Sequence, residues 1–284
     1  MDRPRRPRSF RGVSLRPVPR ERVRRERALR DRVLRAASAL LLALAAAGAP
    51  PDARRSGFED MAPETQAMQR DDAANPGMLW VGEGEALWNR PAGPAGASCA
   101  TCHGAAETAM RGVAARHPAY DPALGRPVDL QGRINLCRTG RQGAPALPPE
   151  GDELLALSAY VALQSRGLPV SPDEDPRLAP FRARGEALYE RRQGGLHLSC
   201  AICHDGHAGE RLGGSTIPQA HPTGYPLYRL EWQGLGSLQR RLRNCMSGVR
   251  AESYAYGSPE WVEIELFLMA RAKGMAMEAP AVRP

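Results

Sequence analysis

Cys200-Ala201-Ile202-Cys203-His204 places two thiols three positions apart and an imidazole directly after the second. Two cysteines at that spacing can hold a haem by thioether bonds, and the histidine that follows is placed to bind the iron from one side. The same unit occurs earlier as Cys99-Ala100-Thr101-Cys102-His103. One such unit alone could be a zinc knuckle or a redox pair. Structural zinc, however, needs four protein ligands per closed site, and it gives no reason for the matched segments that surround both units here. The spacing predicts two covalently bound c-type haems, attached at Cys99, Cys102, Cys200 and Cys203, with His103 and His204 as proximal iron ligands.

For the opposite face of each iron the sequence offers three kinds of donor. Met110, Met246 and Met269 are present, but methionine is more often packing than ligand, and none recurs at a matched place. His117 and His221 each precede a proline; a loop histidine bonded to a propionate or to backbone is the blander reading of both. Cys137 and Cys245 recur best, and a metal-bound thiolate is a strong donor kept deprotonated by the metal. A Cys137–Cys245 disulfide is the competing reading, which requires their alpha carbons within about 7 Å. Cys245 also sits among arginines, with Arg241 four residues before it, Arg250 five after, and Arg240 and Arg243 close by. Charge runs usually mark a solvated face, and Arg138 and Arg141 flank Cys137 similarly. Guanidinium groups around a reactive sulfur nevertheless suit a small divalent oxyanion, because their paired donors match sulfonate-like oxygens.

These residues need elements to hold them, and the chain supplies the same series twice. Gly84-Glu85-Ala86-Leu87-Trp88 precedes Cys99 by fifteen residues, and Gly185-Glu186-Ala187-Leu188-Tyr189 precedes Cys200 by fifteen. Ile134-Asn135-Leu136-Cys137-Arg138-Thr139-Gly140 is matched by Leu242-Arg243-Asn244-Cys245-Met246-Ser247-Gly248. Each unit closes with a segment of helical period, 153–167 with the apolar stripe Leu154, Leu157, Val161, and 260–274 with Trp261, Ile264, Leu268. The expected architecture is all-α: two tandem cytochrome c-like haem domains arising from an internal repeat. The first spans 79–170 and the second, carrying the chemistry, 171–284. The Pro- and Asp-rich stretch 169–176 reads as the linker. Residues 50–78 show no sustained periodicity and read as a loosely packed or disordered arm.

The formal charge of +8 invites a nucleic-acid role. Fourteen arginines against four acidic residues in the first 36 positions account for it, and the remainder is slightly acidic. Nucleic acid is therefore not an expected partner. An apolar run, 36–47, follows that basic stretch and ends in the small residues Ala45, Ala47 and Ala49. It is shorter than the roughly 20 residues that span a bilayer and has the form of a secretory signal. Residues 1–49 are expected to be a leader cleaved within 45–50, leaving a periplasmic protein with no transmembrane span; an uncleaved amphipathic anchor is the alternative.

From about residue 65 onward the chain resembles the SoxA family, the c-type cytochrome subunit of L-cysteine S-thiosulfotransferase. The resemblance is densest in Pro218-Gln219-Ala220-His221-Pro222-Thr223-Gly224-Tyr225-Pro226 and in Arg241, Cys245 and Arg250. It implies Cys137 as second ligand of the first haem and Cys245 as that of the second. It further implies Cys245 as the active-site residue, found in the family as a persulfide, and Arg241 as the substrate-binding arginine, with Arg250 expected to assist. A mono-haem cytochrome partner like SoxX, a sulfur-carrier protein like SoxY and thiosulfate as substrate follow from the same resemblance. The expected activity couples thiosulfate oxidatively to the carrier's cysteine through Cys245 on the second haem, with electrons passing to the partner cytochrome. Two other readings stand beside it: a dihaem electron carrier without catalysis, and a peroxidase, which needs an open iron position that these ligands do not leave.

Overall fold

The structure, a computed structural model, describes residues 52–284 and the isolated positions 21 and 30. The expected leader and its cleavage region lie outside the described residues. In chain order the described helices are α1 (Pro63–Arg70), α2 (Gly77–Asn89), α3 (Cys99–His103), α4 (Ala106–Ala109), α5 (Leu130–Cys137), α6 (Asp152–Leu163), α7 (Ala179–Glu190), α8 (Cys200–His204), α9 (Leu238–Gly248) and α10 (Pro259–Arg271). Short strands accompany them: β1 (Ala119–Asp121), β2 (Arg126–Val128), β3 (Arg211–Leu212), β4 (Ser215–Thr216), β5 (Leu227–Arg229), β6 (Gly234–Gly236) and β7 (Ala281–Arg283). The expectation of an all-helical chain therefore needs correction: the fold is mostly helical with small sheets. Strands of two or three residues in loops rich in Gly and Pro carry too few side chains to show the alternation by which a strand is read.

Two helix crossings form the frame. In the first half α2 packs on α6; in the second α7 packs on α10. Each crossing is made at the glycine that opens a matched motif. A Cβ on Gly84 would lie 2.2 Å from the Ala156 carbonyl oxygen, and one on Gly185 would lie 2.0 Å from that of Glu263. The expected apolar stripes are buried, with Leu154, Leu157 and Val161 in α6 and Trp261, Ile264 and Leu268 in α10 each at most 3% exposed. Nine consecutive residues of α6, Leu154 to Ala162, are buried, as expected of a helix surrounded by protein on every side.

The halves interlock. The antiparallel hairpin β5–β6 belongs to the second half by sequence, yet its Tyr228 and Leu235 are buried with Val81, Trp88, Leu155 and Tyr160 of the first. Reciprocally, β2 packs on α10. The expected linker is tied down as well. Val170 N–H donates to the Met275 carbonyl at 2.7 Å and Met277 N–H to that of Leu168 at 2.8 Å, about a bridge between Pro169 and Ala276. Corresponding segments of the two halves thus pair with each other reciprocally, as the two sides of an isologous contact do.

The arm is not loose over its described part. Residues 54–78 run across the C-terminal segment, where β7 lies parallel to β5. The Asn75 amide donates to the Pro280 carbonyl at 3.0 Å, Val282 N–H donates to Gln69 Oε1 at 3.0 Å, and Arg166 pairs with both Asp72 carboxylate oxygens at 2.6 and 2.8 Å. Among the described residues no helix is long and apolar enough to cross a membrane.

Candidate functional site

Each Cys-x-x-Cys-His unit is a single capped helical turn. Ser98 Oγ accepts from Thr101 N–H at 3.0 Å while Thr101 Oγ1 accepts from Ser98 N–H at 3.1 Å, a reciprocal cap for α3. Ser199 Oγ accepts from Ile202 N–H at 3.3 Å at the start of α8. A turn of helix brings residues three apart onto one face, so the caps present each cysteine pair on one side with the histidine beside it. All six cysteines are free thiols, so Cys137 and Cys245 are not joined. Among the described residues no three His, Cys, Asp or Glu side chains converge as a closed metal site would require.

The sulfur-bearing segments are α5 and α9, capped by Asp129, which accepts from Gly132 N–H at 2.7 Å, and by Ser237, which accepts from Arg240 N–H at 3.1 Å. Cys137 ends α5 near Cys99; Cys99 is pushed above its ordinary pKa, by burial first and then by this neighbouring sulfur. Cys245 stands in the same relation to Cys200, which burial and then the Cys245 sulfur push up to about 11. His103 packs its ring 5.8 Å from that of Trp88, whose indole N–H donates to the Gly104 carbonyl at 3.0 Å.

The second set is built round a cavity of about 440 Å³. Leu238, Arg241, Leu242 and Cys245, successive members of one face of α9, line it, and His204 lines it from α8. His204 Nδ1 bonds the Pro218 carbonyl at 2.7 Å, which fixes the ring and leaves Nε2 for a ligand. The ring is also in hydrogen-bonding contact with Cys245. Burial opposes charging the imidazole, but the Cys245 contact and the Pro218 carbonyl outweigh it, and its pKa is raised. For Cys245 burial opposes ionisation, yet the His204 contact and the charges of Arg241 and Arg229 hold the thiol below its usual range. Imidazole and thiol thus meet from two elements, the donor pair that an iron bound on both faces requires. The residues fit the group.

Other candidates separate in space. Met246 and Met269 are 6% exposed and pack in apolar cores, and Met110 packs against the first-half core. His117 bonds the Val113 carbonyl at 2.9 Å and lines a different, smaller cavity of about 80 Å³. His221 does line the large cavity, with Nδ1 bonded to the Arg55 carbonyl at 2.8 Å. Arg250 is exposed and lies beyond the end of α9 at φ 59°, outside the residues that line the cavity. Sequence reasoning missed Arg229 and Arg283, which line it, and Gly57, Asp60, Met61 and Ala62 of the arm, which form part of its wall.

Helical frame, capped Cys-x-x-Cys-His turns and opposed imidazole and thiol define a c-type cytochrome. The family model for the SoxA/TsdA cytochrome c domain matches residues 83–170, and with that domain goes covalently bound haem c. The chain is 38% identical over 232 residues to the L-cysteine S-thiosulfotransferase subunit SoxA of Rhodovulum sulfidophilum, covering 82% of this chain and 81% of that one. It is 36% identical over 242 residues to the subunit of that name from Pseudaminobacter salicylatoxidans, with 85% of each covered. The crystal structure of SoxXA from P. pantotrophus superposes with a TM-score of 0.78 at 33% identity, covering 81% of this chain and 87% of that one. The chain belongs to the SoxA family of L-cysteine S-thiosulfotransferase subunits.

Proposed function

We propose that this chain joins thiosulfate to the cysteine of a sulfur-carrier protein through Cys245. The observation that carries the reading is the cavity in which Cys245, in contact with His204, shares one helix face with Arg241. No carboxylate of the described residues pairs with Arg241, so its guanidinium is available to an oxyanion. Cys245 as thiolate and the terminal sulfur of thiosulfate form an S–S bond. The combined charge of the reactants is −3; the product adduct carries −1 and two electrons depart. A c-type haem, when bound, supplies a one-electron outlet, and a mono-haem cytochrome partner, for which a SoxX-like subunit is the candidate because the matched structure is of SoxXA, receives the electrons. The carrier's thiolate then attacks the former terminal sulfur of thiosulfate, and the Cys245 thiolate leaves without further oxidation, by ordinary thiol–disulfide exchange.

In this reading two covalent haems are held at Cys99/Cys102 and Cys200/Cys203. His103 with Cys137, and His204 with Cys245, would hold their irons. Residues 79–170 and 171–284 are the two haem-bearing halves, and the mature chain works in the periplasm. Arg241 orients the substrate; Arg250, outside the cavity, is given no contact with it.

Cys245→Ser in the haem-loaded complex is the test, with thiosulfate- and carrier-dependent reduction of an acceptor cytochrome as readout. Turnover falls to background while peptide mapping still finds haem at both attachment sites. Full turnover without the thiol would make the chain an electron carrier and sink the reading.

A further inference from the structure

We propose that Arg229 is a second substrate-binding residue, forming with Arg241 a paired guanidinium site for the dianionic substrate beside Cys245. This rests on the reading of the cavity given above. Arg229 closes β5, the middle strand between β6 and β7, so backbone pairing on both edges holds its Cα. Its side chain is 13% exposed and its guanidinium lies 5.4 Å from the Trp232 ring centroid. Arg229 and Arg241 enter one cavity from a strand and from a helix. The positive charge of each acts on Cys245 and on Tyr225.

The pair is electrostatically incomplete. Arg229 Nε lies 2.8 Å from a Glu231 carboxylate oxygen without hydrogen-bond geometry, and Glu231 is 60% exposed, so water weakens its compensation. Burial, followed by the like charge of Arg241, makes the Arg229 guanidinium less ready to hold its proton than an ordinary arginine. Two neighbouring cations behind one solvent-exposed carboxylate are costly to keep half-buried, and a dianion relieves both at once. Thiosulfate carries two negative charges on arrival. Bonded to Cys245 it keeps one, on the sulfonate. A two-guanidinium site therefore favours the substrate over the adduct and loosens its hold once the S–S bond exists.

A haem propionate is an oxyanion too, and the experiment separates the two sources. In the haem-loaded complex with its cytochrome partner and carrier, Arg229→Gln raises KM for thiosulfate by about 10- to 100-fold, the loss expected for charge-assisted hydrogen bonds. The value of kcat stays within a few-fold, Arg229→Lys restores part of the loss, and haem spectra and midpoint potentials do not move. An unchanged KM, or a shifted potential with KM unchanged, overturns the proposal, the latter in favour of a propionate. If Arg229→Gln does not fold, Glu231→Gln decides: removing the competing carboxylate lowers KM, and an unchanged or higher KM overturns the inference. Normal KM in Arg229→Gln beside a dead Cys245→Ser sinks this inference alone, whereas turnover in Cys245→Ser sinks the reading beneath it.

Discussion

Gly185 has no room for a side chain, since the carbonyl oxygen of Glu263 already occupies the space a Cβ would need. Gly82, by contrast, has nothing within 4 Å of its Cβ position, on the exposed side of α2. The two make a controlled pair. Gly185→Ala forces α7 away from α10 and costs about 1–3 kcal/mol; Gly82→Ala stabilises by about 0.5–1 kcal/mol through helix propensity. Urea midpoints of the two variants against the parent check both signs. The first glycine was legible as part of a repeated motif, but the reason for it was not, because the oxygen it makes way for lies 78 positions further on. Arg250 is the opposite case. Five residues from Cys245 in sequence, it is carried off by the end of α9 at Gly248 and by its own left-handed backbone, φ 59°. Arg229, sixteen residues before Cys245, is brought in by a strand too short to announce itself. Local chemistry was readable here, and the partners that tertiary structure delivers were not.

At the scale of elements, α5 and α9 are tied together by their first turns. Gln239 Nε2 donates to Asp129 Oδ2 at 2.8 Å, and its side-chain Oε1 accepts from Gly257 N–H at 2.8 Å. Glu265 of α10 faces the same cluster. Burial raises both carboxyls, and Glu265 is raised well above the usual value of 4.5, with the charges of Asp129 and Glu150 adding to the effect. Asp129 is better compensated, by the Gly132 N–H, Arg126 and Gln239, so Glu265 is the group that keeps its proton. The sign follows directly. Above its unfolded value Glu265 is protonated in the native chain and ionised in the unfolded one, so the native state binds more protons and stability falls as pH rises. That contribution is at its most favourable below the unfolded value and is lost as pH climbs through the folded one. Glu265→Gln removes this dependence. Its urea midpoint gains on the parent as pH rises above the ordinary carboxyl value of 4.5, and midpoints that stay parallel as pH rises would show the proton is not there. The closing helices that place this carboxylate were visible as apolar periodicity; the tie between α5 and α9 was not, because polar side chains at helix starts look alike whether they meet solvent or each other.

For the whole molecule, the interlocked hairpins and the reciprocal pairing at Pro169–Ala276 make the two halves one folding unit. Haem absorbance and far-ultraviolet dichroism should report one coincident unfolding transition, and a chain restricted to 171–284 should lack a cooperative transition because Tyr228 and Leu235 lose the core that buries them. Two separated transitions would show the halves to be independent. The matched series of helices suggests two haem domains packed together, a picture drawn from elements long enough to be periodic. The three-residue strands that sew the halves together leave no such trace.

That sewing bears on how such a chain can change over generations. Tyr228, buried in the first half, stands next to Arg229, which faces the sulfur of the second. A lineage could dispense with the cysteines of the first half, but it could not shed the half itself, since the strand that positions Arg229 is seated there. The two halves are therefore not exchangeable cassettes: recombination that cuts between them would separate the cavity from its support, and variation is confined to what each half holds, not whether it is kept.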